Sequence, residues 1–393
     1  MKAKTKKRSR LSSVLFILIT VALAGLLTFS FCFGAIRSVT TFVRADVSAA
    51  TPAKAMCLIE ASTGRVLAEK NSSARLAMAS TTKIMTAITA IEHCDDLDEV
   101  FEISSKAVGV SGTSLYLRQG EKMSIRDLLY GLMLVSGNDA SVAIGERVGG
   151  TFEHFVDLMN FTAHKLGAKD THFENTHGLD EKGHYTSAHD LARIAAYALD
   201  NEVFREIVST QNKKITSEAG KDRYLCNKNK LLRTFDGAIG VKTGFTDDAG
   251  RCLVSAAERD GMRLVCVVLN CRPMFEECAR LMEEGFNTYK MYDLTQYLTL
   301  PESLPVISGE KESAAIGHNE SCLYPLKESE VDKVQTRYHL PESLTPEMKE
   351  GTAIGEFEIL FDNNLLFSRK IVTMENVKAR SFKQRIFDIF DKW

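Results

Sequence analysis

The first 36 residues constrain this chain more than any other stretch. "MKAKTKKRSR" carries six basic residues and no acidic one, and no charge follows from Leu11 to Ile36. A basic tip ahead of a long apolar run stays on the inner side of a membrane while the rest of the chain is carried across. The run is long enough to span a bilayer, and a small-x-small pattern, Val47 to Ala49, lies well beyond it. A cleaved signal and a retained anchor both fit. Residues 1–50 therefore stand apart from the fold, and the remainder works on the extracytoplasmic face. At 393 residues and 45% hydrophobic, the chain can bury a large core and is expected to hold two domains. Its formal net charge of -2 gives no reason to expect a nucleic-acid partner.

Nine cysteines in an exported chain would ordinarily point to a disulfide framework. Here Cys32 lies in the apolar run, and the other eight (Cys57, Cys94, Cys226, Cys252, Cys266, Cys271, Cys278 and Cys322) form no CxxC pair. Cys252 and Cys266 fall in apolar, strand-like runs, where cysteine behaves as a small hydrophobe. Free buried thiols are the expectation.

Beyond residue 50 the pattern changes type several times. "AMCLIEASTGRVLAEKN" has the form of two short strands around a Ser-Thr-Gly turn. In "STTKIMTAITAIE" the apolar residues Ile84, Met85, Ala87, Ile88 and Ile91 recur at helical spacing. "MSIRDLLYGLMLVSGNDASVAIGERVGG" predicts two helices broken at Ser-Gly-Asn. A helix over "TFEHFVDLMNFTAHKLGA", a loop from Asp170 to Tyr185 and a helix over "HDLARIAAYALD" come next. "GAIGVKTGFTDDAGRCLVSAAERDGMRLVCVVLNC" predicts successive strands with turns at Asp247-Asp248 and Asp260-Gly261, and "ECARLMEEGFNTYKMY" a helix. Strands, then helices, then strands describe an α+β domain over 51–293, its sheet assembled from both ends. From about Leu294 the chain is turn-rich, with "LPESLPVISGEKESAAIGHNES" as a linker. "GEFEILF" and "LLFSRKIVT" then flank a hairpin signal, so 294–375 is expected to be a small all-β domain. In 376–393, Phe382, Ile386, Ile389, Phe390 and Trp393 share one helical face, with basic residues on the remainder. Such a helix suits the surface of an anionic membrane; packing onto its own domain is the alternative.

Three short motifs carry the chemistry. Ser80-x-x-Lys83 opens the first helix, so a hydroxyl and an amine share one helical face. Ser136-Gly137-Asn138 sits at the helix break, and Lys242-Thr243-Gly244 on a strand-like run. A Ser-x-x-Lys pair alone is cheap: Ser308 and Lys311 make a second copy in the linker, with no helix behind it. Three motifs in this order are far more specific, and are a signature of penicillin-binding proteins and class A β-lactamases.

The chain resembles the serine-type D-alanyl-D-alanine carboxypeptidases, the low-molecular-mass penicillin-binding proteins, from about Ala53 to Trp393. Besides the motifs, the likeness includes "LLYGLMLVSGNDAS", "THFENTHGLDEKGHYTSAHDLARIA" and "DGAIGVKTGFTDDAGRCLVSAAERDGMRLVCVVL". The resemblance implies a β-lactamase/transpeptidase-like catalytic domain, an antiparallel sheet flanked by helices with a helical subdomain. It also implies a C-terminal β domain and an amphipathic membrane helix. Two departures are small: Ala77-Met78-Ala79 replaces a proline often found before the nucleophile, and Asn175-Thr176-His177-Gly178 stands for the usual Asn-Pro-His-Gly.

A serine hydroxyl needs a base within hydrogen-bond reach. Lys83 serves only if neutral; an ordinary lysine has a pKa near about 10.4 and must lose roughly three orders of magnitude in basicity, at about 4 kcal/mol. Burial and a second cation, Lys242, both push that way. Ser136 would pass protons between the lysines and the leaving amine, and Asn138 would bond the substrate amide or hold Lys83. Thr243 and Lys242 suit a terminal carboxylate, and Gly244 lets the substrate backbone come close. By resemblance, the oxyanion hole is the backbone N–H of Ser80 and of Phe245. The implied substrate is a peptidoglycan stem peptide ending in D-Ala-D-Ala, with β-lactams as covalent inhibitors and no cofactor. His172, His177, His184 and His189 crowd one stretch without a standard zinc spacing, so no metal is expected. One rival is a class A β-lactamase, which needs a deacylating glutamate that "HFENTHGLD" does not match; another is a non-catalytic penicillin-binding sensor.

Overall fold

Five antiparallel strands form the main sheet: β1 (Ala55–Glu60), β2 (Val66–Lys70), β3 (Ala238–Thr246), β4 (Gly250–Arg259) and β5 (Met262–Leu269), in the order β2-β1-β5-β4-β3. The structure is a computed structural model describing residues 51–382. The export segment lies outside the described residues. So does the terminal helix beyond Phe382, and Val377 and Ala379 ahead of it are extended, in bridges to Met348 and Gly309. Among the described residues, no helix is long and apolar enough to cross a membrane.

Each strand of this sheet feeds two cores. Cys57, Ile59, Val254, Ala256, Val265 and Val267 pack on one side with the helices, while Met56, Leu58, Leu253, Ala257, Leu264 and Cys266 pack on the other. Burial on both faces explains why these strands are continuously apolar rather than alternating. On the first side, α1 (Lys83–His93) is buried from Lys83 to Ala90 among α2 (Asn138–Gly149), the Phe152–Lys165 helix and α3 (Ala188–Asp200). On the second lies α4 (Met274–Thr288), with Cys278, Leu281 and Met282 inward. Ser187 caps α3 by accepting from the Asp190 N–H.

The compact units are the described part of Phe42–Leu298 with Asn319–Val334, and Thr299–His318 with the described part of Gln335–Trp393. In the first unit the helix expected over 277–292 stops at Thr288, and Lys290–Asp293 is a strand paired with Leu323–Leu326. Arg65 secures that returning segment. Its guanidinium lies between the rings of Tyr289 and Tyr324, at 5.2 and 5.1 Å, and donates to both Glu330 oxygens at 2.8 and 2.9 Å.

The second unit holds a five-stranded sheet that contains the expected antiparallel hairpin, Ala353–Phe361 against Asn364–Thr373. Asp362 and Asn363 both take positive φ, 50° and 63°, as a tight two-residue turn requires. The expected linker is not structureless, since Ser303–Pro305 and Ser313–Gly317 are strands of this sheet. Among the described residues Cys57, Cys252, Cys266, Cys271 and Cys278 are buried free thiols, Cys94 is a partly exposed one and Cys226 an exposed one, and Cys322 is buried.

Candidate active site

Ser80 lies in a tight turn, Ala79–Thr82, that runs directly into α1. It does not cap the helix. The neighbouring hydroxyls bond back to carbonyls instead: Thr81 Oγ1 donates to Met78 O and Thr82 Oγ1 to Ala79 O. Ala79 holds φ +49°, a left-handed conformation that alanine adopts only under constraint.

Lys83 is fully buried, and its ammonium nitrogen meets three oxygens: Ser80 Oγ at 3.0 Å, Asn138 Oδ1 at 2.7 Å and the His177 carbonyl at 2.5 Å. Burial lowers its pKa well below the ordinary lysine value, and the charges of Lys242 and Lys228 push further the same way. Lys242 is buried as well, donates to the Thr243 carbonyl at 2.9 Å, and is lowered to about 7 by burial and then by Lys228.

The second motif arrives through a distorted helix. Residues Gly131–Val135 form a π-helical turn ending at Ser136, which is left-handed at φ 69°. Such turns break the helical ladder and re-aim a side chain. Ser136 is buried, and its Oγ has no hydrogen-bond partner among the described residues. Asn138 donates through Nδ2 to Ser111 O at 2.6 Å. The buried Asp139 carboxylate accepts from Ser114 Oγ, Leu115 N–H and Leu117 N–H, pinning the 111–117 loop against the motif.

The third motif lies on β3, where Lys242 pairs with Val254 and Gly244 with Cys252 on β4. Gly244 packs on the serine turn so closely that a Cβ there would stand 3.1 Å from Ala79 Cβ, Met78 O and Ser80 N. Phe245, next along, is half exposed, with Arg251 5.5 Å from its ring centre. The structure thus gathers Ser80, Lys83 and Asn138 by direct contact and sets the Lys242–Gly244 strand beside the serine.

Sequence pattern alone does not single out Lys228, Thr82 or the His177 carbonyl, and it marks His184 only as one of four clustered histidines. Lys228 lies in "CNKNK", with no periodicity to mark it; burial lowers its pKa. The histidine-rich loop reaches the serine turn through His184, whose Nε2 lies 2.8 Å from Thr82 Oγ1. Among the described residues no group of three or more His, Cys, Asp or Glu is placed to hold a metal ion. Burial depresses His177 to about 4 and His184 to about 3, with Lys83 adding to both.

Residues 41–272 match the family described as D-alanyl-D-alanine carboxypeptidase. The chain belongs to the D-alanyl-D-alanine carboxypeptidase family. Residues 286–379 of this carboxypeptidase match a second family, the penicillin-binding protein 5 C-terminal domain. The chain is 32% identical to the D-alanyl-D-alanine carboxypeptidase DacF of Bacillus subtilis (strain 168) over 338 residues, 84% of this chain and 87% of that one. Among solved structures, penicillin binding protein 5 from Haemophilus influenzae matches with a TM-score of 0.68 at 27% identity, over 85% of this chain and 99% of that one. The Streptomyces K15 DD-transpeptidase matches with a TM-score of 0.58 at 32% identity, covering 61% of this chain and 99% of that one.

Proposed function

We propose that this carboxypeptidase removes the terminal D-alanine from peptidoglycan stem peptides through an acyl-enzyme on Ser80. The observation that carries the reading is the 3.0 Å contact between Ser80 Oγ and a fully buried Lys83 amine. A lysine kept neutral there takes the serine proton as the oxygen attacks the penultimate D-Ala carbonyl. Ser136, whose hydroxyl has no hydrogen-bond partner among the described residues, passes a proton to the departing D-Ala nitrogen. Lys242 and Thr243 receive the substrate's terminal carboxylate, and Asn138 keeps Lys83 in register. The backbone N–H groups of Ser80 and Phe245 hold the developing oxyanion. Water then hydrolyses the acyl-enzyme.

The glutamates of the 170–185 loop are engaged elsewhere, Glu174 with His172 and Glu181 with Asn175, which favours slow release of a bound penicillin. The basic tip and uncharged run at the N-terminus support export, and the aromatic-basic terminal segment supports attachment to the outer face of the membrane.

Release of D-Ala from a diacetyl-Lys-D-Ala-D-Ala peptide is the test, with penicillin labelling alongside. The wild type releases D-Ala and is labelled stoichiometrically, and Ser80→Ala does neither. Labelling that survives in Ser80→Ala would move the nucleophile elsewhere.

A further inference from the structure

Four residues behind the nucleophile form a hydrogen-bonded chain whose proton positions are set by what each group can do. The Ala79 carbonyl only accepts, so Thr82 Oγ1 donates to it at 2.9 Å. That commits the hydroxyl proton, and His184 Nε2, 2.8 Å from Thr82 Oγ1, must therefore donate. His184 Nδ1 accepts from the Glu174 N–H at 3.0 Å and so carries no proton. The imidazole is neutral and held in one tautomer. It is 6% exposed and packs edge-on against Phe173 at 5.9 Å, so it has little freedom to turn.

What this chain fixes is a peptide plane. The Ala79 carbonyl and the Ser80 N–H are opposite ends of one planar unit, so anchoring the first sets the direction of the second. Ala79 is held in a left-handed conformation that alanine adopts only where its surroundings impose it. Gly178 closes in from the other side: a Cβ there would stand 2.0 Å from Ala79 O. We propose that His184 is a positioning residue for the carboxypeptidase reaction, acting through Thr82 to hold the Ala79–Ser80 peptide so that the Ser80 N–H points at the substrate oxyanion. This rests on the reading of Ser80 as nucleophile and oxyanion donor. It gives the histidine-rich loop a task in catalysis without contact to the reacting atoms.

The test compares His184→Leu, His184→Gln, Thr82→Val and the double variant Thr82→Val/His184→Leu. Each is assayed for kcat and KM in D-Ala release and for the second-order rate of penicillin acylation, with melting curves as a folding control. Loss of one oxyanion-hole donor costs about 10²–10³-fold in kcat, so a misaimed one should cost roughly 10- to 100-fold, with KM nearly unchanged. His184→Leu and Thr82→Val should both lose that much. The double variant should be no slower than Thr82→Val, because both cut the same chain. His184→Gln should recover most of the rate, since its amide can accept from Glu174 and donate to Thr82. Wild-type kcat in His184→Leu, an additive loss in the double variant, or a His184→Gln no better than His184→Leu would each overturn the proposal. Should His184→Leu fail to fold, Thr82→Val and His184→Gln decide it. A wild type that releases no D-Ala would instead overturn the proposed function.

Discussion

The chain contains the same pattern twice, and only one copy has the surroundings of a catalytic site. Ser80 and Lys83 are joined at 3.0 Å on a turn that enters a buried helix, and the amine is fully enclosed by Asn138, the His177 carbonyl and the serine itself. Ser308 and Lys311 lie on a turn of the β unit, where the Lys311 side chain is 67% exposed and pairs with Glu375. An exposed ion pair of that kind leaves the amine open to water rather than enclosed. Spacing therefore does not set the two copies apart. Burial does, together with a second and third cation that make a charge on Lys83 costly.

The largest effect should come from Lys83. Lys83→Ala is expected to lower kcat/KM for D-Ala release by roughly 10²–10⁴-fold, the worth of a positioned base, while Lys311→Ala leaves it unchanged. Equal effects would break the contrast.

Lys242 sharpens it through pH. Its folded pKa is about 7 against about 10.4 in the unfolded chain, so between those values the unfolded state binds more protons and stability rises with pH. Below about 7 the full cost of burying the charge is present. Lys242→Met should then lose activity yet melt at higher temperature at pH 6, with a smaller gain on moving to pH 9; melting curves at both pH values check this. In the wild type, kcat/KM should fall at low pH as Lys83 gains a proton and at high pH as Lys242 loses one.

Gly244→Ala is a smaller probe. Its Cβ would crowd Ser80 N and Met78 O at 3.1 Å, so about 1–3 kcal/mol of overpacking should slow penicillin acylation by roughly tenfold. Smallest of all, Ser308→Ala should change neither labelling nor, by more than about 0.5 kcal/mol, stability.

Much of this was legible from local pattern. The helix behind Ser80, the break at Ser136–Asn138, the three strands after Ala238 and the Asp362–Asn363 hairpin each carry their own signal within a few residues. What escaped depends on distant partners. Lys290–Asp293 follows a helical run and becomes a strand only because Leu323–Leu326 returns to pair with it. Ser303–Pro305 and Ser313–Gly317 sit among turn residues and are held as strands by the sheet they join. The hairpin Asn212–Thr216 with Asp222–Cys226, which leads to Lys228, is too polar to announce itself. The His184 chain spans 102 residues between its histidine and Thr82, and no spacing rule links them.

The clamp around Arg65 has a practical corollary for anyone dissecting the molecule. The polypeptide leaves the catalytic unit near 298, comes back for 319–334 and leaves again. Severing it at 298 would remove Glu330 and Tyr324 from around a buried guanidinium, a loss on the order of 3–5 kcal/mol. A free-standing catalytic fragment would have to bring that returning stretch with it, grafted on or replaced by an apolar substitute at position 65.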